Sequence, residues 1–282
     1  MPELPEVETV ARGLNQRVAG YVIESVWLGE KPEPLKSTAK EIVAVLEHAR
    51  IQRVRRVGKH IVFDLARPSR NGRRSGAMIG QWIVHLGMTG RLLVASPEAE
   101  TTKHTHAVLK LTSGRELRFV DPRRFGRLAV VRMDAKEAAG FAAPGDEPLD
   151  LQVERFLTLF HCRKTPIKSA LLNQKLLSGV GNIYADESLF RAGVRPRRRA
   201  ASLTRAELRK LHAALQKVLR EAIKLGGSSV SDYVDAEGRE GFFQLQHRVY
   251  GRAGEPCLVC RTPIRRVIIA GRSSHYCPHC QK

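Results

Sequence analysis

The densest chemistry in the chain lies in four cysteines. Cys257-x-x-Cys260 and Cys277-x-x-Cys280 stand sixteen residues apart, the spacing at which two tight knuckles aim four thiolates at one tetrahedral zinc ion. Four protein ligands leave no open coordination position, so the expected zinc is structural. His275 and His279 lie beside these ligands and, with four thiolates available, are expected to face solvent or phosphate. At the other end of the sequence Met1 precedes Pro2. Initiator methionine is normally removed before a small residue, which would leave a secondary amine with a pKa near that of other α-amino groups, about 8. Such an amine forms an iminium ion with a sugar aldehyde carbon, an electron sink for elimination. Glu3 and Glu6 follow it. One carboxyl can move a proton while the other stays structural, or both can complement the dipole of a helix start.

Cations and glycines supply the second kind of chemistry. Gly179-Val180-Gly181-Asn182 falls between two helical stretches, where glycines let backbone amides approach an anion at a helix N-terminus or make a tight interhelical turn. The nearby Arg163, Lys164 and Lys168 favour phosphate. Gly58-Lys59-His60 marks a hairpin turn inside a run, Arg50 to Arg74, with nine cations and one acid. Arg123-Arg124-Phe125 precedes Gly126. Two guanidinium groups beside an aromatic suit minor-groove insertion with stacking into base steps, and a strand end with Phe125 in the core is the other reading. Segment 191–224 carries eleven basic and two acidic residues, and 239–282 eight and two. Cys162 reads as a small buried hydrophobe.

These residues need positioning elements. Val7, Val10, Ala11, Leu14 and Val18 recur at helical spacing, predicting one amphipathic helix over 5–19 that Gly20 ends. Short β-type runs follow at 21–28, 51–57, 60–65, 78–86, 91–95, 106–112, 116–121 and 125–132, with Leu117 and Phe119 facing opposite to Glu116 and Arg118. Helix plus strands predict a β-sandwich over 1–133. Residues 134–150 are rich in Ala, Gly, Pro and acids and read as an interdomain linker. A helical domain over 151–243 follows, with helical spacing at 155–160, 167–177, 185–192 and 204–225, the last opened by a Thr204/Glu207 capping box. Its end, 226–243, reads as a mobile loop. Residues 244–282 form a zinc module in which Pro263–Ile269 and Ser273–Cys277 pair as a hairpin with Ala270-Gly271-Arg272 at the tip, placing Arg272 within reach of a phosphate. The fold class is α+β.

Composition sets the partner. The 282 residues are 43% hydrophobic and 27% charged, which excludes a largely disordered chain. Forty-eight Lys and Arg against 28 Asp and Glu give +20 and a pI near 10.4, so a polyanion, nucleic acid first, is the expected partner. No run of about 18 apolar residues is available to span a bilayer, MPELPEVETV is too acidic for a signal peptide, and paired cysteines fit a metal site in a reducing compartment. A soluble, cytoplasmic protein is expected.

MPELPEVETV, GKH at 58–60, HLGMTGRL at 85–92, DPRRFG at 121–126, LLSGVGNIYADESLF at 176–190 and the terminal AGRSSHYCPHCQ together resemble the bacterial formamidopyrimidine-DNA glycosylase family over essentially the whole chain. The resemblance implies a β-sandwich, a helix–two-turns–helix module and a zinc finger clamping damaged double-stranded DNA. It implies excision of 8-oxoguanine and ring-opened purines followed by strand cleavage, by a monomer without nucleotide cofactor. By position it makes Pro2 the nucleophile at the sugar C1′ and Glu3 the proton donor that helps open the sugar ring. Lys59 takes the β-elimination step and Arg272 the δ-elimination step. Met88, Arg123 and Phe125 fill the gap left by the everted base, and His104, Arg123, Arg163 and Asn182 contact DNA. Loop 226–243 would close over the flipped base, and Thr89 is a variable position near it. Two rivals remain: an endonuclease VIII-like glycosylase for oxidised pyrimidines, and a non-catalytic zinc-containing nucleic-acid-binding protein.

Overall fold

The computed structural model describes residues 1–68, 76–133, 140–229, 235–236 and 238–282. The middle of the predicted loop 226–243 and the start of the predicted linker 134–150 lie outside the described residues. The chain forms two compact units, Met1–Ala142 with Ser228–Gly241, and Ala143–Gly227 with Phe242–Lys282.

Unit 1 is a β-sandwich. Helix α1 (Leu4–Val18) precedes β1 (Ile23–Leu28), α2 (Ala39–Leu46), β2 (Arg50–Val57), β3 (His60–Ala66), β4 (Met78–His85), β5 (Arg91–Ala95), β6 (Thr105–Leu111), β7 (Glu116–Val120) and β8 (Arg127–Arg132). The strands form two four-stranded antiparallel sheets, ordered β1-β6-β7-β5 and β2-β3-β4-β8. Alternate residues of both sheets, among them Phe63, Trp82, Leu109 and Phe119, share one core with the Val7–Val10–Leu14–Val18 stripe of α1. Asn15 pins the helix to the sheet by accepting the Val54 N–H at 2.7 Å.

Three features go beyond the expectations or depart from them. Helix α2 is an addition to the elements read from spacing, and Thr38 and Glu41 form a complete capping box at its start. The outer face of β7 is not solvated: Glu116 and Arg118 are buried and paired at 2.7 Å, and Arg118 donates to the carbonyls of Ser96, Ala99 and Glu100. A planar guanidinium tolerates burial there because its donors find fixed acceptors. Finally, described residues of 228–241 join the N-terminal unit instead of the helical one: Ser228 N–H donates to Glu6, Val94 N–H to Ala236 O, and Ala236 enters the sandwich core.

Unit 2 contains α3 (Val153–Phe160), α4 (Ile167–Leu171), α5 (Asn182–Ala192), α6 (Arg205–Lys224), β9 (Arg265–Ile269) and β10 (Arg272–Tyr276). Leu208, Leu211, Leu215, Val218 and Leu219 bury one face of α6, and Thr204 and Glu207 cap it reciprocally. The predicted helix 167–177 stops at Leu171, and α5 starts three residues earlier than predicted. Gln174 stabilises the intervening turn by accepting Gly179 N–H at 2.9 Å and donating to Val180 O at 2.8 Å. Cys162 is exposed rather than buried, because the chain leaves α3 at the helix-capping residue His161.

Candidate active site and zinc finger

Pro2 is buried at the head of α1, and Glu3 is the N-cap of that helix. Glu3 and Glu6 are both buried. One Glu6 oxygen accepts Glu3 N–H at 2.8 Å and the other accepts Ser228 N–H at 2.8 Å. Glu6 therefore fixes the start of α1 against residue 228, and both of its oxygens sit where backbone amides favour charge.

One end of the β2-β3-β4-β8 sheet gathers the other candidate groups of unit 1. Val57 pairs with His60, His60 with His85, and His85 with Arg127. The register therefore places the Gly58-Lys59 turn, the 86–90 loop and the 121–126 loop at the same end. Gly58 has a φ of 59°, which suits the first position of a two-residue hairpin turn. Arg56 braces that turn, donating to Gly58 O at 3.1 Å and pairing with Glu8 of α1 at 2.8 Å. Lys59 is half-buried above it.

Asp121, fully buried, organises the neighbouring loops. One carboxylate oxygen accepts Thr89 Oγ1–H at 2.6 Å and Arg123 N–H at 3.2 Å, and the other accepts Gly126 N–H at 2.7 Å. Its backbone carbonyl meets His106 Nε2 at 2.9 Å, and its N–H donates to His104 O at 2.9 Å. The loops touch through backbone: a Cβ on Gly87 would stand 2.6 Å from Gly126 N. Arg124 takes a left-handed φ of 57°, a conformation a tight turn over-determines. Met88 and Phe125 are 42% and 52% exposed, so the reading that puts Phe125 in the core is excluded. The Arg123 guanidinium lies 4.8 Å from the Phe125 ring centre. The Thr89 hydroxyl holds Asp121 and so supports the loop. Replacing Asp121 by alanine strands several donors, each costing about 1–3 kcal/mol when buried. The expected result is a lower melting temperature, measured by calorimetry.

His85, at the end of β4, accepts Gly87 N–H on Nδ1 at 3.1 Å and stacks near His60, ring centres 5.0 Å apart. Burial pushes its pKa down to about 4, helped by the positive surroundings of His60, Arg127 and Lys59. His60 is lowered as well, chiefly by burial. An unfolded histidine titrates near 6.5, so between that pH and about 4 the unfolded chain binds more protons at residue 85 than the folded one. Stability is expected to fall as pH drops through this window, and His85→Gln should reduce the pH dependence of the urea midpoint.

In unit 2, the finger is seated on α5. Lys168 and Asp186 form a fully buried pair at 2.6 Å, so Lys168 does not join Arg163 and Lys164 as a phosphate-facing cation. Asp186 also accepts Ser274 Oγ–H at 2.9 Å and His275 N–H at 2.8 Å, while Lys168 donates to Ser273 O at 2.6 Å. Asn182 Nδ2 donates to Ser273 Oγ at 3.3 Å. Glu187 accepts the N–H groups of Arg248, Val249 and Tyr250 at 2.9–3.0 Å. Three residues of one helix thus hold both strands of chain that enter and close the finger. His275 is buried against Asp186 and Tyr250, contrary to the expectation that it faces solvent, whereas His279 is exposed. Arg272 is exposed and opens β10 instead of occupying the tip. The turn is Ala270-Gly271 alone, with φ of 47° and 74°, both positive as a type I′ hairpin requires. Arg163 is exposed at the end of α3, its Nε donating to Leu159 O at 2.7 Å.

The four cysteine sulfurs lie within 4.8 Å of one another, with Cys257 to Cys280 at 3.9 Å and Cys260 to Cys277 at 3.4 Å. Tetrahedral zinc with 2.3 Å bonds to sulfur needs separations of about 3.8 Å. The fit identifies one structural zinc site, and bound zinc would tie the chain before β9 to the chain after β10. Both tryptophans, Trp27 and Trp82, belong to unit 1. Cys277→Ser is expected to release zinc to a chromogenic chelator, with tryptophan emission unchanged.

Comparison with known proteins agrees with this architecture. Residues 1–128 match the formamidopyrimidine-DNA glycosylase N-terminal domain, 144–234 the H2TH domain of the same enzymes, and 254–282 the zinc finger found in that glycosylase and in isoleucyl-tRNA synthetase. The chain belongs to the formamidopyrimidine-DNA glycosylase family. It is 47% identical to the family member of Solibacter usitatus, with 100% of both chains covered. The family structure from Thermus thermophilus superposes with a TM-score of 0.83 at 42% identity, covering 99% of this chain and 98% of that one. A Lactococcus lactis family variant bound to DNA containing Fapy-dG gives 0.86 at 32% identity over 100% of both chains. Among the described residues, the family motifs fall on the loops and helix ends described above. His85, Asp121, Asp186 and Glu187 lie within those motifs, yet sequence reasoning gives them no role at the site. An aspartate ahead of Pro-Arg-Arg at a strand end is a recognisable turn organiser, but buried partners of a helix carry no local signal.

Proposed function

We propose that the chain is a bifunctional glycosylase and abasic-site lyase of base excision repair, acting on 8-oxoguanine and formamidopyrimidines in duplex DNA. After loss of Met1, the Pro2 amine attacks C1′ of the damaged nucleotide. The glycosidic bond breaks as Glu3 delivers a proton that helps open the sugar ring, leaving an iminium that draws electrons from C2′. Loss of the C2′ proton expels the 3′ phosphate with Lys59 assisting, and a second elimination assisted by Arg272 expels the 5′ phosphate. Met88, Arg123 and Phe125 occupy the stack that the flipped nucleotide vacates. His104, Arg123, Arg163 and Asn182 contact the DNA, and the zinc finger positions Arg272. The protein works as a cytosolic monomer.

The pairing of Pro2 with a buried Glu3, beside a Glu6 already committed to two amides, carries this reading. In this proposal Glu3, which also takes part in the capping box of α1, moves the proton, and Glu6 holds the helix start. The DNA-bound Lactococcus relative supports damaged duplex as the partner. Borohydride reduction in the presence of an 8-oxoguanine duplex is expected to trap a covalent complex through residue 2. Absence of trapping with correctly processed protein overturns the mechanism and restores the non-catalytic rival. Faster release of thymine glycol than of 8-oxoguanine opposite cytosine would instead favour the endonuclease VIII-like reading. A clamp neutralising about six phosphates should show a log–log salt slope near −5 in binding, and a flat response argues against it.

A further inference from the structure

We propose that the groove formed by α5, α6 and the zinc knuckle of unit 2 is a docking site for an acidic peptide segment of a partner protein, anchored by an apolar side chain. Two adjoining cavities of about 580 and 330 Å³ share Arg191, Lys217 and Arg248. The larger is within the size range of ligand pockets, and Phe190, Ala213, Ala214 and Val259 supply its apolar surface. Lys210, Lys217, Lys224, Arg191 and Arg248 stand around the two. Two acids meet these five cations. Glu221 lies 3.8 Å from Arg191 and 3.9 Å from Lys217, and the buried Glu187 takes Arg191 at 3.1 Å. The groove therefore keeps a net positive charge around an apolar floor.

The knuckle supplies the second observation. Between its ligands Cys257 and Cys260, Leu258 and Val259 are 49% and 69% exposed. Zinc ligation needs the two sulfurs and a tight turn, not apolar side chains in water between them. Val259 beside Phe190, Ala213 and Ala214 suits an apolar anchor, and the ring of cations suits acidic flanks. This is the pattern of short-motif recognition, in which an anchor gives affinity and flanking charge gives orientation. A nucleic-acid backbone would gain little from the apolar floor. The groove also lies at the far end of α5 from Asn182, which holds the strand of Arg272: Asn182 opens the helix, while Phe190 and Arg191 lie about 13 Å along it at 1.5 Å per residue.

The test uses the full-length, zinc-loaded protein and a fluorescein-labelled twelve-residue peptide of Asp and Glu carrying one Leu and one Phe. Anisotropy is measured with the DNA-binding surface saturated by a duplex containing a tetrahydrofuran abasic analogue. Binding is expected to persist with duplex present and to weaken at least tenfold when Leu and Phe of the peptide become Ser. It should weaken at least tenfold for the Lys210→Glu/Lys217→Glu protein and for Ala214→Glu, each with zinc content and strand nicking unchanged. Val259→Glu gives the same loss if zinc is retained. Equal binding of the serine peptide reduces the site to unspecific charge and overturns the proposal. So does displacement of the peptide by duplex, which assigns the groove to nucleic acid. Unchanged affinity in the protein variants, or no binding at all, also overturns it.

Discussion

Protein that retains Met1 is expected to bind a lesion-bearing duplex and fail to cut it. With Met1 attached, the Pro2 nitrogen is a tertiary amide whose lone pair is delocalised into the peptide bond, and no iminium can form. The processed chain carries a secondary amine in the same place. Nicking of an abasic duplex should differ between the two forms by at least about a thousandfold, equivalent to roughly 4 kcal/mol of barrier. Affinity should stay within about threefold, since the groups proposed to grip phosphate lie elsewhere. Pro2→Gly should also lose nicking, because its primary amine yields an imine that must gain a proton before it becomes an equal electron sink. Comparable turnover of the Met1-retaining and processed forms, purified separately and checked by mass spectrometry, would reject residue 2 as the nucleophile.

The second large effect is on stability. Lys168→Met is expected to destabilise unit 2 by about 3–5 kcal/mol, the usual cost of removing one partner from a fully buried ion pair. The cost arises because Asp186 stays buried with its charge while losing the 2.6 Å contact to the ammonium. Replacing both residues, Lys168→Met with Asp186→Leu, should recover part of this loss, although Ser274 Oγ and His275 N–H then lose their acceptor. Urea unfolding followed by circular dichroism measures the cycle. A loss below about 1 kcal/mol for the single variant would mean that the pair is not what holds β10 on α5. Lys168 also grips Ser273 O, next to Arg272, so with Arg272 in its proposed role the single variant should lower the yield of δ-elimination product relative to β-elimination product.

Much of the fold is legible from spacing. The α1 stripe, the eight strands of the sandwich and the Thr204/Glu207 cap all leave periodic or positional marks. Helix α2 leaves one too, the Thr38/Glu41 box, but its eight residues hold too short an apolar pattern to stand out from neighbouring strands. The burial of Glu116 and Arg118 is not legible, since alternation within β7 says nothing of segment 96–100 covering its outer face. At the site, the zinc ligands follow from the cysteine spacing. The supports do not. Asp121 reaches Thr89 across 32 residues, and Asp186 reaches His275 across 89, and contacts that distant depend on tertiary packing that one sequence does not encode locally.

The tie through Asp121 bears on how the proposed roles of Met88, Arg123 and Phe125 could be re-engineered. Residues 86–90 and 121–126 meet backbone to backbone at Gly87 and Gly126, and one carboxylate fastens Thr89, Arg123 and Gly126. A library that randomises Met88 alone, or Arg123 and Phe125 alone, samples a part whose other half is held at the parental position. The two loops form one exchangeable cassette, and transplanting them together from a relative with different preferences is the smallest change that keeps their mutual register.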